Sequence, residues 1–455
     1  METFNIKRRS ILIACVIAGL TGLVGCIMNN KPKNKKQYPL KSGGNATIFR
    51  SVNGSPAQNM RKVLELSGGI EKLIGADDFV IIKPNLQWWN QGAPNISGCL
   101  ALIESIFERK DYTGEVVLME NTHRGNQPWK TTGWATPFRR NSDIPGVDNY
   151  NDLSSMLKKR FGNRFSVCHL IDVGVNGRRV FTPKDGQGYI YCDGTGGAPF
   201  LSMDNGLPGS NRREVIMTYP IFTTDRGTCV DFKNGIWKED AYTGQPVKFI
   251  NLAALNHHST YCGMTSSVKN YFGIVDLSNG ANPHNSGKVT DKYFNFHSFA
   301  FDEWANGPVP GMLGAEIGMF LNTIRKADLN ITTAEWVGLA SRTDCPVAHT
   351  RAVLASADSI ALDYHASKYV LFQNSRCRHH DPDWQEGPLF QYLYQCAKVS
   401  GGVLDEARIK VVSHNFKMEK NQASGERSIN AGIDWGNDPK MLAKYGLFRW
   451  GSMFL

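Results

Sequence analysis

The chain has 455 residues, 20% of them charged, 41% hydrophobic and 11% aromatic. That balance belongs to a folded globular protein and excludes disordered, collagen-like and multi-span membrane classes. The net charge of +10 invites a polyanion partner, yet residues 1–42 hold +7 of it. The body keeps an excess too small for nucleic acid and shows no basic helix or aromatic-basic motif, so no nucleic acid is expected.

Residues 1–25 read as a signal segment: Lys7, Arg8 and Arg9, then an apolar run over 11–24. The run is shorter than the ~20 residues of a membrane span, and Leu23-Val24-Gly25-Cys26 has the order of a bacterial lipoprotein cleavage box. Cys26 is then the lipidated first residue of the mature protein. An uncleaved anchor helix is the alternative, and either places the body outside the cytoplasm, at the bacterial cell envelope, with the membrane as partner through the lipid. Arg8-Arg9-Ser10-Ile11-Leu12 also fits twin-arginine export, beside the general secretory route. Residues 26–45 add a basic tether.

From residue 46 the chain alternates β-branched runs with helical stretches: strands at 46–52, 79–83 and 115–120, with helices near 56–74 and 96–109 between them. Later strands are expected at 165–172, 214–219, 247–255, 328–333, 351–355 and 409–413, and helices near 266–272, 313–326, 358–372 and 387–399. The pattern predicts an α/β fold, a mostly parallel covered sheet with helices on both faces, over 46–415. A long insertion at about 121–245, rich in Gly, Asn, Asp and Pro, reads as loop; 416–455 form an extension. Trp88, Trp89, Trp129 and Trp134 in or beside the insertion either stack on a ligand or pin the loop.

Four segments carry candidate chemistry. The first, Phe79-Val80-Ile81-Ile82-Lys83-Pro84-Asn85-Leu86, is an apolar strand that delivers Lys83 and Asn85 at its carboxyl end, where open α/β sheets bind ligands. In the second, a buried strand ends in His257-His258 and is followed by Thr265-Ser266-Ser267-Val268-Lys269-Asn270; a helix start there offers amides, a hydroxyl and Lys269 to an anion. His258 is a candidate metal ligand or general acid/base. In the third, Asp358 is a natural N-cap with ligand contact as its other role. Asp363 falls inside an apolar helical turn and needs a partner, for which a lysine or histidine of the other segments is the candidate. The fourth, 376–383, is dense in Arg, His, Cys and Asp, and reads as solvated loop before metal site. Eight of the ten cysteines lie in the body, none at C-x-x-C spacing, and no G-x-G-x-x-G turn is present. The cofactor stays unknown.

In combination the Gly68-to-Leu73 run leading to Lys83-Pro84-Asn85-Leu86, the 265–273 run and Ala355-Ser356-Ala357-Asp358 to Asp363 resemble the bacterial and archaeal domain-of-unknown-function family 362, over roughly 46–372. The resemblance implies fold more than reaction. Relatives commonly carry Lys-Thr-His after the middle strand; His258 matches the histidine, while Asn256 stands at the lysine. Relatives also tend to have an Asp-Gly pair near 331–336, and many have ferredoxin-like cysteine motifs. Both are missing here, which implies an exported, cluster-free branch. The expected function is an enzyme binding a small anionic substrate or cofactor, metal-dependent or redox chemistry included, in a cleft of Lys83, Asn85, His258, Thr265, Lys269 and Asn270, with Asp363 behind a lysine or carrying a proton. Non-catalytic capture at the cell surface and a subunit role in an envelope complex are the alternatives.

Overall fold

The computed structural model describes residues 44–121, 132–170, 179–258, 261–277, 287–297, 311–417 and 427–436; the signal segment, Cys26, most of the tether and Trp129 lie outside them. Strand β1 (Ala46–Val52) leads into helix Pro56–Leu66, started by a reciprocal cap in which Gln58 N donates to Ser55 Oγ and Ser55 N to Gln58 Oε1. Strand β2 (Phe79–Pro84), helix Ile96–Phe107, β3 (Val116–Glu120), helix Tyr150–Phe161 and β4 (Phe165–His169) follow. Asn95 and Asn149 cap the two helices.

The stretch expected as loop holds strands of two to six residues: β5 (Gly188–Tyr191), β6 (Ser202–Asp204), β7 (Glu214–Ile216), β8 (Thr218–Thr223), β9 (Cys229–Asp231), β10 (Gly235–Lys238) and β11 (Ala241–Tyr242). β5 and β8 to β11 build a separate five-stranded antiparallel sheet. Such brief strands give too few alternations for periodicity to show, and the expected 214–219 strand divides between β7 and β8. After β12 (Val247–His257) and β13 (Met264–Thr265) come helix Met312–Thr323, β14 (Leu329–Gly338), β15 (Val347–Ser356), helices Ser359–Ala366 and Pro388–Ser400, β16 (Ile409–Asn415) and β17 (Ile433–Asp434).

The main sheet runs β16-β1-β15-β14-β12-β2-β3-β4. Along this path only β15 opposes the others, so the sheet is mostly parallel, as expected. One face carries Val80, Ile82, Val116, Leu118, Ile250 and Leu252 against Met60, Leu102 and Tyr150 of the first three long helices. On the other, Phe249 meets Phe232 and Tyr271, and Tyr271 meets Phe320 of helix Met312–Thr323. That helix approaches Pro388–Ser400 so closely that a Cβ on Gly314 would fall 1.9 Å from the Tyr392 carbonyl oxygen. Both faces are thus covered, which is why the central strands read as unbroken apolar runs. Part of the extension packs back, β17 pairing with β15. Among the described residues no helix is long and apolar enough to cross a membrane.

Candidate functional site

Connections leave β2 toward β3 and β4 at one edge, and leave β12 toward β14 and β15 at the other. Between β12 and β2 the strand order therefore reverses, and a crevice must open at their carboxyl ends. A cavity of about 290 Å³ lies there. Lys83, Asn85, His258, Thr265, Lys269 and Asn270 all line it, so the sequence-predicted cleft residues come together. Gln87, Trp88, Glu120, Asn121, Phe272 and Arg342 are among the further lining residues.

Its floor is a buried polar network. Lys83, 1% exposed, pairs with Glu120, 2% exposed, at 2.5 Å and donates to Asn270 Oδ1. Asn270 Nδ2 donates to the Lys83 carbonyl (3.0 Å) and to Asn251 Oδ1 (2.7 Å), and Asn251 Nδ2 donates to Asn330 Oδ1 (2.9 Å). Burial pushes the Glu120 carboxyl up to about 8 and lowers the Lys83 ammonium, each against the pull of its partner. Gly273 closes over the pair: a Cβ there would sit 2.3 Å from Lys83 Nζ and 2.7 Å from Glu120 Oε1. Asn121 N donates to the Gly273 carbonyl (3.0 Å), and Tyr189 of β5 donates its hydroxyl hydrogen to the Ile274 carbonyl (3.1 Å), so the inserted sheet braces this segment.

The walls are cationic and aromatic. Lys269 Nζ stands 4.7 Å from the Phe272 ring centroid, and the Arg342 guanidinium 4.6 Å from that of Trp88. Burial, with Arg342 and Lys83 nearby, brings the Lys269 ammonium down to about 8. Burial and the charges of Lys269 and Arg342 hold His258 well below its ordinary value, so the imidazole is neutral at pH 7.

Asp358 and Asp363 are not among the lining residues. Asp358 accepts from Ile360 N (2.9 Å) and Ala361 N (3.0 Å) through Oδ1, the N-cap role, and from Val403 N (2.8 Å) through Oδ2, so both its oxygens are taken by the backbone. Asp363 takes neither lysine nor histidine as its hydrogen-bond partner: it accepts from Ser267 N and Val268 N at 2.9 Å each. The amides expected to receive an anion after Thr265 are therefore occupied by the protein itself. Burial lifts Asp363 to about 7 despite these bonds. Asn256 is buried between the Gln91 carbonyl, to which it donates (2.6 Å), and Gly338 N, which donates to it (3.0 Å). A lysine's absence there leaves the cavity's cations in place.

The segment at 376–383 is not a solvated loop: His380 is fully buried, 2.8 Å from His257 Nδ1 through Nε2 and 2.7 Å from Ser375 Oγ through Nδ1. Trp134 is buried edge-on to Tyr150 and pins the insertion, whereas Trp88 faces the cavity. The eight cysteines of the body are free thiols. Among the described residues no three His, Cys, Asp or Glu side chains gather to hold a metal ion.

Glu120 and Arg342 were missed at the sequence level. Glu120 was legible as a carboxylate ending an apolar strand, but its pairing follows from the β2/β3 register; Arg342 sits in the β14–β15 loop, where no periodicity marks it.

Residues 225–368 match the family model described as Domain of unknown function (DUF362). The segment carries His258, Thr265, Lys269, Asn270 and Arg342, while Lys83, Asn85 and Glu120 fall outside it. The family resemblance is thus shown on a narrower stretch than 46–372. No curated protein and no solved structure matches the chain.

Proposed function

We propose that this DUF362-like chain is an envelope enzyme, anchored by lipid on Cys26, that binds a small anionic substrate in the cavity between β12 and β2. The observation that carries the reading is charge distribution: beside the Lys83–Glu120 pair, Lys269 and Arg342 bring two more cationic side chains to the lining of the same small space, each against an aromatic ring. Two cations in a low-dielectric cavity favour an anion far more than they would in water. A volume near 300 Å³ fits a small acid and lies at the lower end for ligand sites. His258, neutral at pH 7, is the candidate proton carrier: an anion bound beside it offsets the charges of Lys269 and Arg342 and raises its affinity for a proton toward the working pH.

Full-length protein in detergent, titrated by calorimetry with short carboxylates and inorganic phosphate, should bind at least one of them saturably. Lys269→Met and Arg342→Met should each weaken binding by about 1.5–3 kcal/mol, roughly ten- to a hundredfold. Absence of binding across the panel, or unchanged affinity in both variants, refutes the anion site. Anchoring is tested separately: radiolabelled fatty acid should be incorporated in cells and lost in Cys26→Ala, and equal labelling of the variant removes the lipid from this reading.

A further inference from the structure

The cavity has two lysines, and they differ in kind. Lys83 is committed to Glu120 and Asn270. Lys269 lies over the Phe272 ring, and among the described residues no carboxylate pairs with or accepts from its amine. Arg342 lines the same cavity with its fork over Trp88. A lysine set among cations, away from acid partners and partly out of water, stays a cation at pH 7 but gives up its proton more readily than a solvated lysine, so its nitrogen can act as a nucleophile. The lowering of its ammonium to about 8 agrees with that placement.

We propose that Lys269 is a nucleophile that condenses with the carbonyl carbon of a short 2-oxo acid whose carboxylate is held by Arg342. This rests on the anion-binding reading above and names its substrate class. The planar guanidinium suits a carboxylate, and a three- or four-carbon acid suits the volume. In the step, the Lys269 ammonium gives one proton to neutral His258, the nitrogen lone pair so freed forms the C–N bond while the carbonyl π electrons move to oxygen, and that oxygen takes the proton back from His258. The nitrogen of the resulting carbinolamine gives up one proton, the hydroxyl takes one and leaves as water, and a protonated C=N bond remains. His258 lines the same cavity and carries the proton between nitrogen and departing oxygen. Ammonium plus carbonyl gives protonated imine plus water, so neither oxidant nor reductant enters.

The test uses full-length protein in detergent with pyruvate and with 2-oxobutyrate. Binding is read by thermal shift, and the imine is trapped with cyanoborohydride and located by peptide mass spectrometry. The expected result is thermal stabilisation and a reduced adduct on Lys269, about tenfold above any surface lysine. The adduct should be suppressed by excess lactate, which offers the carboxylate without the carbonyl, and absent in Lys269→Arg. Because the adduct is located in the unmodified chain, the outcome does not depend on how a variant folds. Stabilisation by either acid without an adduct on Lys269 overturns the condensation and leaves the anion site standing. An adduct spread evenly over surface lysines also overturns it. Neither stabilisation nor adduct overturns the condensation and counts against the anion site as well.

Discussion

Lys83→Met is expected to destabilise the protein by about 3–5 kcal/mol at pH 8, and Lys83→Met combined with Glu120→Leu by much less than the sum of the two single changes. The pair is nearly sealed, at 1% and 2% exposure, and truncating one partner leaves the other buried without compensation. Glu120 has a way out that most carboxylates lack: already raised to about 8 beside the lysine, it can take a proton once the lysine is gone. The single variant should therefore lose more stability at pH 9 than at pH 7, because holding the carboxyl neutral becomes harder as pH rises. The double variant removes both charges and keeps apolar volume, so urea midpoints should recover toward the parent. Strict additivity of the two single losses would mean that the residues do not interact. Gly273 sets a constraint on the same pair: a methyl there would displace the Lys83 tip, so the segment beyond the short helix Ser267–Asn270 is shaped by the ion pair beneath it.

How far the sequence leads can be judged from particular residues. Lys83, Asn85 and His258 were legible because each comes after an apolar run long enough to be a buried strand, and parallel strands deliver the residues at their carboxyl ends to one rim. Lys269 and Asn270 were legible as the first turn after such a rim. Asp363 was misassigned because an apolar helical turn shows that a carboxylate needs a partner without showing which: backbone amides of another helix answer the need as well as a lysine does. Likewise the 376–383 segment has the composition of a solvated loop, yet Ser367 Oγ donates to the His380 carbonyl (2.6 Å) and His257 binds its ring. Those contacts come from residues ten or more positions away, which local composition cannot report. The strand order β14-β12-β2, and with it the crevice, comes from connections of dozens of residues, so it appears only when the sheet is assembled.

The same burial of histidine predicts steep acid lability. Burial holds His169 and His257 at about 4 and His365 at about 3, and keeps His258 and His380 well below the ordinary value. Each of the five accepts a proton near pH 6.5 only after unfolding. Their contribution is whole above that pH and is lost as pH falls toward the folded values. Glu120 and Asp363, raised to about 8 and about 7, act in the opposite sense: between pH 6.5 and 4.5 the folded form holds their protons more tightly, and stability grows as pH falls. The lowered histidines outnumber the raised carboxyls, so unfolding in this range takes up protons on balance and stability falls with pH, each uncompensated proton contributing about 1.4 kcal/mol per pH unit. Urea midpoints should hold between pH 7 and 7.5 and fall sharply from pH 6.5 to 5. A midpoint that stays level or rises over that interval would show that the histidines are not held neutral. His365, about 1% exposed and packed 4.8 Å from the Tyr369 ring, isolates one share of the effect. His365→Leu should flatten the acid slope by about one proton while leaving anion binding in the cavity unchanged.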